Sequence, residues 1–170
     1  SAHFRLVLAR HALNLGQGAA LETARQLALR WGEFSVFVTM DADGQHRPQD
    51  LGALVEAVAH GADVAFGNRF LGDSNVPPAR RAVLLAARVF ERAVTGLSLA
   101  DAHNGFRAFS RRALEQLYLR QNRMAHATEI KQQIARSAVG APLVVVEVPV
   151  SVRYSRTTLA EGQPSLGAFT

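Results

Sequence analysis

Apolar and polar positions divide this chain into short extended runs separated by stretches with helical spacing. Phe4–Ala9 reads as a strand. The glycine-bearing loop Asn14–Gly18 follows, and then a helix over about Ala19–Trp31 that aligns Ala20, Ala24, Leu27, Ala28 and Trp31 on one face. Phe34–Met40 is almost continuously apolar, as a strand buried on both faces would be, and it breaks off at Asp41. The spacing predicts a second helix over roughly Gln49–His60, stopped by Gly61, and a short strand over Asp63–Phe66 that ends at Gly67-Asn68-Arg69. Past Val76-Pro77-Pro78, a long helix is predicted over about Ala79–Thr95. Gly105–Phe109 leads into Ser110, a candidate N-cap for a helix to about Leu119, and a further helix is predicted over about Thr128–Ala138. The final runs, Leu143–Val148 and Val150–Tyr154, flank Pro149, whose missing N–H favours a sheet edge or a bulge. Strands alternate with helices throughout, which is the pattern of an α/β domain.

Composition narrows the class. The 170 residues suffice for one domain, and 48% hydrophobic against 19% charged residues points to a packed core. No repeat, low-complexity tract or linker divides the chain, so residues 1–170 read as one domain. The net charge of +5 suits an anionic partner, and Lys131 is the only lysine among the nineteen basic residues. With no cysteine, disulfide frameworks, thiolate zinc sites and cysteine nucleophiles are all excluded, and the composition fits a reducing compartment without requiring one. The six histidines show no paired metal spacing, which disfavours zinc. No apolar run approaches the ~20 residues of a membrane-spanning helix. Gly16-Gln17-Gly18 has Leu21 where a dinucleotide fingerprint needs its third glycine, which argues against a nicotinamide enzyme. Aromatic residues are only 7%, without an interleaved arginine stripe, which argues against a nucleic-acid surface. Arg111-Arg112 reads as solvated charge, and the apolar stripe of Ala79–Thr95 as core, with an exposed part able to rest on a membrane.

The segment Met40-Asp41-Ala42-Asp43-Gly44-Gln45-His46-Arg47-Pro48 carries the chemistry. Asp41 and Asp43 follow a strand at its carboxyl end, where open α/β sheets bind ligands. Residues two apart on extended backbone face the same way, so both carboxylates can converge on one cation. Their oxygens suit Mg²⁺ or Mn²⁺, with remaining ligands drawn from water or a substrate diphosphate, and Gln45 continues the alternation with a neutral oxygen. The competing reading makes these residues ordinary turn formers. Arg69, after a strand and a glycine, can enter the same crevice with a planar phosphate-binding fork. Arg80 stands near a predicted helix start, where free N–H groups favour anions; Arg81 beside it is the alternative.

Val38–Pro48 resembles the metal-binding signature of inverting GT-A glycosyltransferases of family 2. The match is nearest to the branch of dolichol-phosphate mannose synthase and bacterial polyprenyl-phosphate glycosyltransferases. Four further segments agree in order: Asn14–Ala20 resembles the glycine loop before the first long helix, and Gly67-Asn68-Arg69-Phe70 a Gly-Ser/Thr-Arg-Tyr segment. Asp101–Arg107 resembles the Asp-x-x-x-Gly-Phe-Arg segment, and Glu147–Val150 the penultimate-strand motif. The resemblance implies a Rossmann-like fold with a mostly parallel sheet flanked by helices. It also implies a nucleotide-diphosphate sugar donor contacted by Gly18, Asp41, Asp43, Arg69 and Arg80. Mg²⁺ or Mn²⁺ would be held by Asp41, Asp43 and Gln45. For the acceptor, polyprenyl phosphate or a saccharide, it points to Asn104, Arg107 and Glu129, with Asp101 and Arg107 as catalytic candidates. Asp101 stands open between a base, an acceptor contact and a turn cap, because a phosphate oxygen that is already ionised attacks without a base.

Two family segments are not seen: the opening strand that holds the base, and an Asp-Asp-Gly-Ser-like segment after it. Phe4–Ala9 matches a later strand, and the tail Gln163–Phe169 resembles a segment that continues into further helices, so the chain reads as an excerpt trimmed at both ends. The resemblance places the full-length protein at the cytoplasmic face of a membrane. Two rival readings remain: a family 2 transferase acting on a hydroxyl acceptor, which needs a base, and a non-catalytic basic module for anionic lipid or nucleic acid.

Overall fold

The computed structural model describes residues 6–71, 104–122, 125–137 and 142–152. The helix expected over Ala79–Thr95, the site candidates Arg80, Arg81 and Asp101, and the end of the strand expected to reach Tyr154 lie outside them. Four strands form one sheet: β1 (Val36–Thr39), β2 (Val64–Asn68), β3 (Arg107–Ser110) and β4 (Val145–Pro149), in the order β1-β3-β2-β4. β3 runs antiparallel to both neighbours, pairing Phe37 with Phe109 and Ala65 with Ala108, whereas β2 and β4 run parallel with Phe66 opposite Glu147. β1, β2 and β4 therefore share one direction. The expected parallel character survives in strand direction, while the inserted β3 makes the sheet mixed. Pro149 sits on the edge strand β4, where its missing N–H is tolerated.

Helices α1 (Gln17–Arg30), α2 (Leu51–Ala59), α3 (Arg111–Gln116) and α4 (Ala125–Arg136) cover the sheet. Alternation along the strands sends side chains to two cores. Val64, Phe66 and Phe109 pack with Leu114 of α3 and with Ile130 and Ile134 of α4. Ala65, Ala108 and Val148 pack on the other face with Leu54 and Val58 of α2. Ser110 caps α3 as expected, its Oγ accepting the Ala113 N–H at 3.1 Å.

Three expectations change. Residues 6–9 form no strand, and Leu6 and Leu8 are 81% and 89% exposed, because no described strand lies beside them to complete a ladder. The run Phe34–Met40 contracts to β1, half-buried rather than buried on both faces, because among the described residues β1 ends the strand order and pairs only with β3. The helix from Ser110 stops at Gln116 instead of Leu119. There Leu117 turns extended, and side chains from α1 and α4 take the next backbone N–H groups. Leu119 donates to Glu22, Tyr118 to Gln133, and Arg120 and Gln121 both donate to Glu129 Oε2 at 2.9 Å.

Charged side chains close the remaining seams. Asp63, buried at the start of β2, accepts hydrogen bonds from Ser110 Oγ, Arg112 and the Val144 N–H. Arg111 donates to the carbonyls of Leu29, Trp31 and Phe34 at the end of α1, with its guanidinium 5.5 Å from the Phe37 ring. Neither arginine of Arg111-Arg112 is merely solvated charge.

Glu22 on α1 binds Arg25 through both oxygens, at 2.7 and 2.8 Å, and also accepts from Gln26 and the Leu119 N–H. Burial raises its pKa, but the hydrogen bonds from Arg25, Leu119 and Gln26 outweigh it and hold the carboxyl at about 2. A carboxyl so lowered contributes stability that is full above the ordinary value of 4.5 and lost as pH falls toward 2. Glu22→Gln is predicted to destabilise the fold by about 2 kcal/mol at pH 7. Urea unfolding should show the gap between the two proteins narrowing as the pH is lowered through that window.

Candidate active site

The loop after β1 carries Asp41, Asp43 and Gln45. Asp43 folds this loop on itself: its Oδ1 accepts the Gln45 N–H at 3.0 Å and its Oδ2 the Gln45 side-chain amide at 2.8 Å. The far end is tied down by a bridge between His46 and Val152 and by the Ser151 N–H donating to Asp50 at 2.6 Å. Asp43 and Gln45 are thereby brought together at the surface, within a few residues of Asp41 along the chain.

Asp41 reaches back across the end of the sheet. Its carboxylate lies directly against the backbone of Gly105, so closely that a Cβ there would overlap it. Gly105 is fixed in turn by its carbonyl, which accepts the Thr39 hydroxyl at 2.9 Å, so β1 and the segment leading into β3 meet at this contact. Gln17 Nε2 lies 3.4 Å from Asp41 Oδ1, and His46 Nε2 3.5 Å from Oδ2. The hydrogen bond with His46 lowers the Asp41 pKa; burial opposes it, and the charges of His46, Arg107 and His126 reinforce the lowering. Asp41 is therefore ionised at neutral pH.

The carboxylate opens on a cavity of about 460 Å³ whose polar lining includes Gln17, Gly105, Arg107 and His126, over apolar walls that include Trp31 and Phe37. Arg107 is 3% exposed, donates to the Asn104 carbonyl at 2.8 Å, and stands 5.6 Å above the Phe66 ring. His46 and His126 join the site although nothing in their spacing marks them. The signal that finds them is burial beside Asp41, since their side chains come from the loop and from α4.

The other sequence candidates take different places. Arg69, buried at the end of β2, does not line this cavity. Asn104 is fully buried and its side-chain carbonyl accepts the Phe106 N–H at 3.0 Å, shaping the turn before Gly105. Glu129 holds the backbone of Arg120 and Gln121. Gly18 is a packing glycine: a Cβ would run into the Gln121 carbonyl, where the same segment supplies Asn122 Oδ1 to the Ala19 N–H.

Among the described residues, no three carboxylate, histidine or cysteine side chains converge to hold a metal ion. The oxygens of Asp41, Asp43 and Gln45 are of the hard kind that Mg²⁺ or Mn²⁺ takes, by chemical type.

Residues 2–118 match the family description "Glycosyl transferase family 2". The chain belongs to glycosyl transferase family 2. Among curated relatives of this family 2 chain, polyprenol monophosphomannose synthase of Mycolicibacterium smegmatis is 36% identical over 140 residues, which are 80% of this chain and 52% of that protein. Undecaprenyl-phosphate mannosyltransferase of Micrococcus luteus is 35% identical over 105 residues, 58% of this chain and 43% of that protein. The fold is similar to glucosyl-3-phosphoglycerate synthase from Mycobacterium tuberculosis in complex with phosphoglyceric acid. That likeness has a TM-score of 0.60 at 20% identity over 86% of this chain and 49% of that one. A second structure of the same synthase, with Mn²⁺, UDP-glucose and phosphoglyceric acid, has a TM-score of 0.56 at 21% identity, covering 88% of this chain and 49% of that one. The GT-A α/β fold expected from the sequence is thus the fold observed. The family 2 chain spans about half the length of the first of these relatives and of the synthase structures. Among its described residues no helix is long and apolar enough to cross a membrane.

The Gly105 contact yields a prediction. Gly105→Ala should destabilise the fold by about 1–3 kcal/mol, as overpacking does. The same substitution in an Asp41→Gly background should cost clearly less, because the overlapping carboxylate is gone; a double-mutant cycle by urea unfolding measures the difference.

Proposed function

We propose that this chain is the catalytic core of an inverting, metal-dependent glycosyltransferase that moves a hexose from a nucleoside-diphosphate sugar to a polyprenyl phosphate. The observation that carries the reading is the ionised Asp41 carboxylate, seated on Gly105 at the mouth of a cavity that also holds Arg107. The names of the two mannosyl-transferring relatives support the acceptor class. The Mn²⁺ and UDP-glucose bound to the structurally similar synthase support the donor and the cation.

Asp41, Asp43 and Gln45 hold Mg²⁺ or Mn²⁺ in this reading. When bound, the cation neutralises the negative charge that builds on the departing diphosphate. The chain's own residues do the rest. Arg107, only 3% exposed, supplies fixed positive charge to the cavity wall, where burial makes it act more strongly than in solvent. Arg69, buried just after β2 and outside the cavity lining, and Arg80 are the further candidates for the donor phosphates in this reading. An acceptor phosphate oxygen attacks the anomeric carbon from the face opposite the diphosphate, the bond to the diphosphate oxygen breaks, and configuration inverts. The attacking oxygen is already ionised, so Asp101 has no proton to remove and serves the acceptor or the turn instead. Asn104, Glu129 and Gly18 act one step back, through the turn before Gly105 and through the segment at residues 119–122. In this reading a polyprenyl acceptor brings the reaction to a membrane surface, and we assign it to the cytoplasmic face.

Calorimetric titration of UDP and of GDP into the full-length protein, with and without Mn²⁺, tests the reading. Metal-dependent binding of one nucleotide is expected, and Asp43→Ala should abolish it while the melting transition survives. Unchanged binding in that variant would sink the metal assignment. Asp101→Asn should spare turnover on a polyprenyl phosphate; its loss would move the acceptor to a hydroxyl.

A further inference from the structure

His46 stands out because it is buried beside a charged group and half of its ring has no partner. Its side chain is 5% exposed, the ring lies 5.1 Å from Phe106 at 46°, and Nε2 faces Asp41 Oδ2 at 3.5 Å. Nδ1 is buried without a hydrogen-bond partner. A proton on Nδ1 would leave a buried donor unmet, an expensive arrangement, so Nε2 is the ring nitrogen that presents its N–H to Asp41. The backbone of His46 is itself held by its bridge to Val152, and the ring is wedged against Phe106. The donor is therefore presented to Asp41 from a rigid mount rather than from a mobile loop.

We propose that His46 is a positioning residue that fixes the orientation of the Asp41 carboxylate for the cation. Gly105 forms the floor under that carboxylate, and Gln17 donates to its Oδ1 at 3.4 Å from the exposed side. The Nε2–H of His46 takes the other oxygen, Oδ2, from the buried side and completes the orientation. A carboxylate oriented before the cation arrives binds it more tightly, because less side-chain freedom is lost on binding; outer partners of this kind are worth about 10–100-fold in affinity.

The inference rests on the metal reading above, and the experiment separates the two. Mn²⁺ affinity is measured by calorimetry in the full-length protein, with UDP and separately with GDP, for the unsubstituted protein and for Asp41→Ala, His46→Leu and His46→Gln. His46→Leu keeps the bulk against Phe106 and removes the donor, so Mn²⁺ affinity should fall about 10–100-fold. His46→Gln restores an N–H near the Nε2 position and should recover most of that loss, which a purely structural role would not produce. Should His46→Leu fail to fold, His46→Asn, whose amide is too short to reach Asp41, takes its place with the same expected loss. Loss in Asp41→Ala together with Mn²⁺ affinity within about threefold of the unsubstituted protein in His46→Leu would overturn the role of His46 alone; so would equal losses in His46→Leu and His46→Gln. Mn²⁺ binding untouched by Asp41→Ala would overturn the metal reading and this inference together.

Discussion

The contact between the Asp41 carboxylate and the bare backbone of Gly105 is the constraint on which the site depends. It lets a charged group from the end of β1 lie across the approach to β3, where any side chain would exclude it. The antiparallel pairing of these strands, Thr39 opposite Arg107, brings the two segments to the same end of the sheet. Asn104 bends the chain so that Gly105 presents its open face, and Arg107, two residues on, adds positive charge to the same cavity. The Gly-Phe-Arg sequence is thus three structural requirements in a row: a space, a core anchor in fully buried Phe106, and a buried cation.

Around this centre, polar side chains rather than regular elements hold the walls in place. The segment after α3 crosses the start of α1 with its N–H groups bound by Glu22, Gln133 and Glu129, and its Gln121 carbonyl sits where Gly18 leaves room. Arg111 closes the other end of α1. Such bonds matter because α1 lies beside the edge strand β1 and lines the cavity with it, yet only Gly18 and Glu22 among its residues are buried. A helix with so little core contact relies on directed hydrogen bonds for its position.

Much of this was legible in the sequence where one physical signal sufficed. The periodicity of α2, the run of β2 and the Ser110 cap required only local chemistry, and each appears within a few residues of its predicted bounds. The aspartate pair and the Gly-Phe-Arg segment also announced themselves, though not the reason for the glycine. What failed depended on neighbours distant in the chain. The apolar run around β1 looked doubly buried because hydrophobicity records preference for burial, not whether a partner strand is present. Arg111-Arg112 looked solvated because the carbonyls and the Asp63 carboxylate that receive them lie some 50 to 80 residues away. The sequence offers Glu129 and Asn104 for the acceptor, and it does not show that their oxygens also bind backbone N–H groups. His46 and His126 carried no spacing pattern, and only the fold puts them beside Asp41.

Donor binding in the proposed reaction depends on one cation at one carboxylate pair. Anomalous diffraction from a crystal of the full-length protein grown with Mn²⁺ and the nucleoside diphosphate that binds it tests this most directly. The account predicts one strong Mn²⁺ peak within coordination distance of the Asp41 and Asp43 carboxylates, with the diphosphate on its far side and His46 Nε2 hydrogen-bonded to Asp41. A diphosphate bound in the cavity with no Mn²⁺ at these carboxylates, or Mn²⁺ held elsewhere, would contradict it.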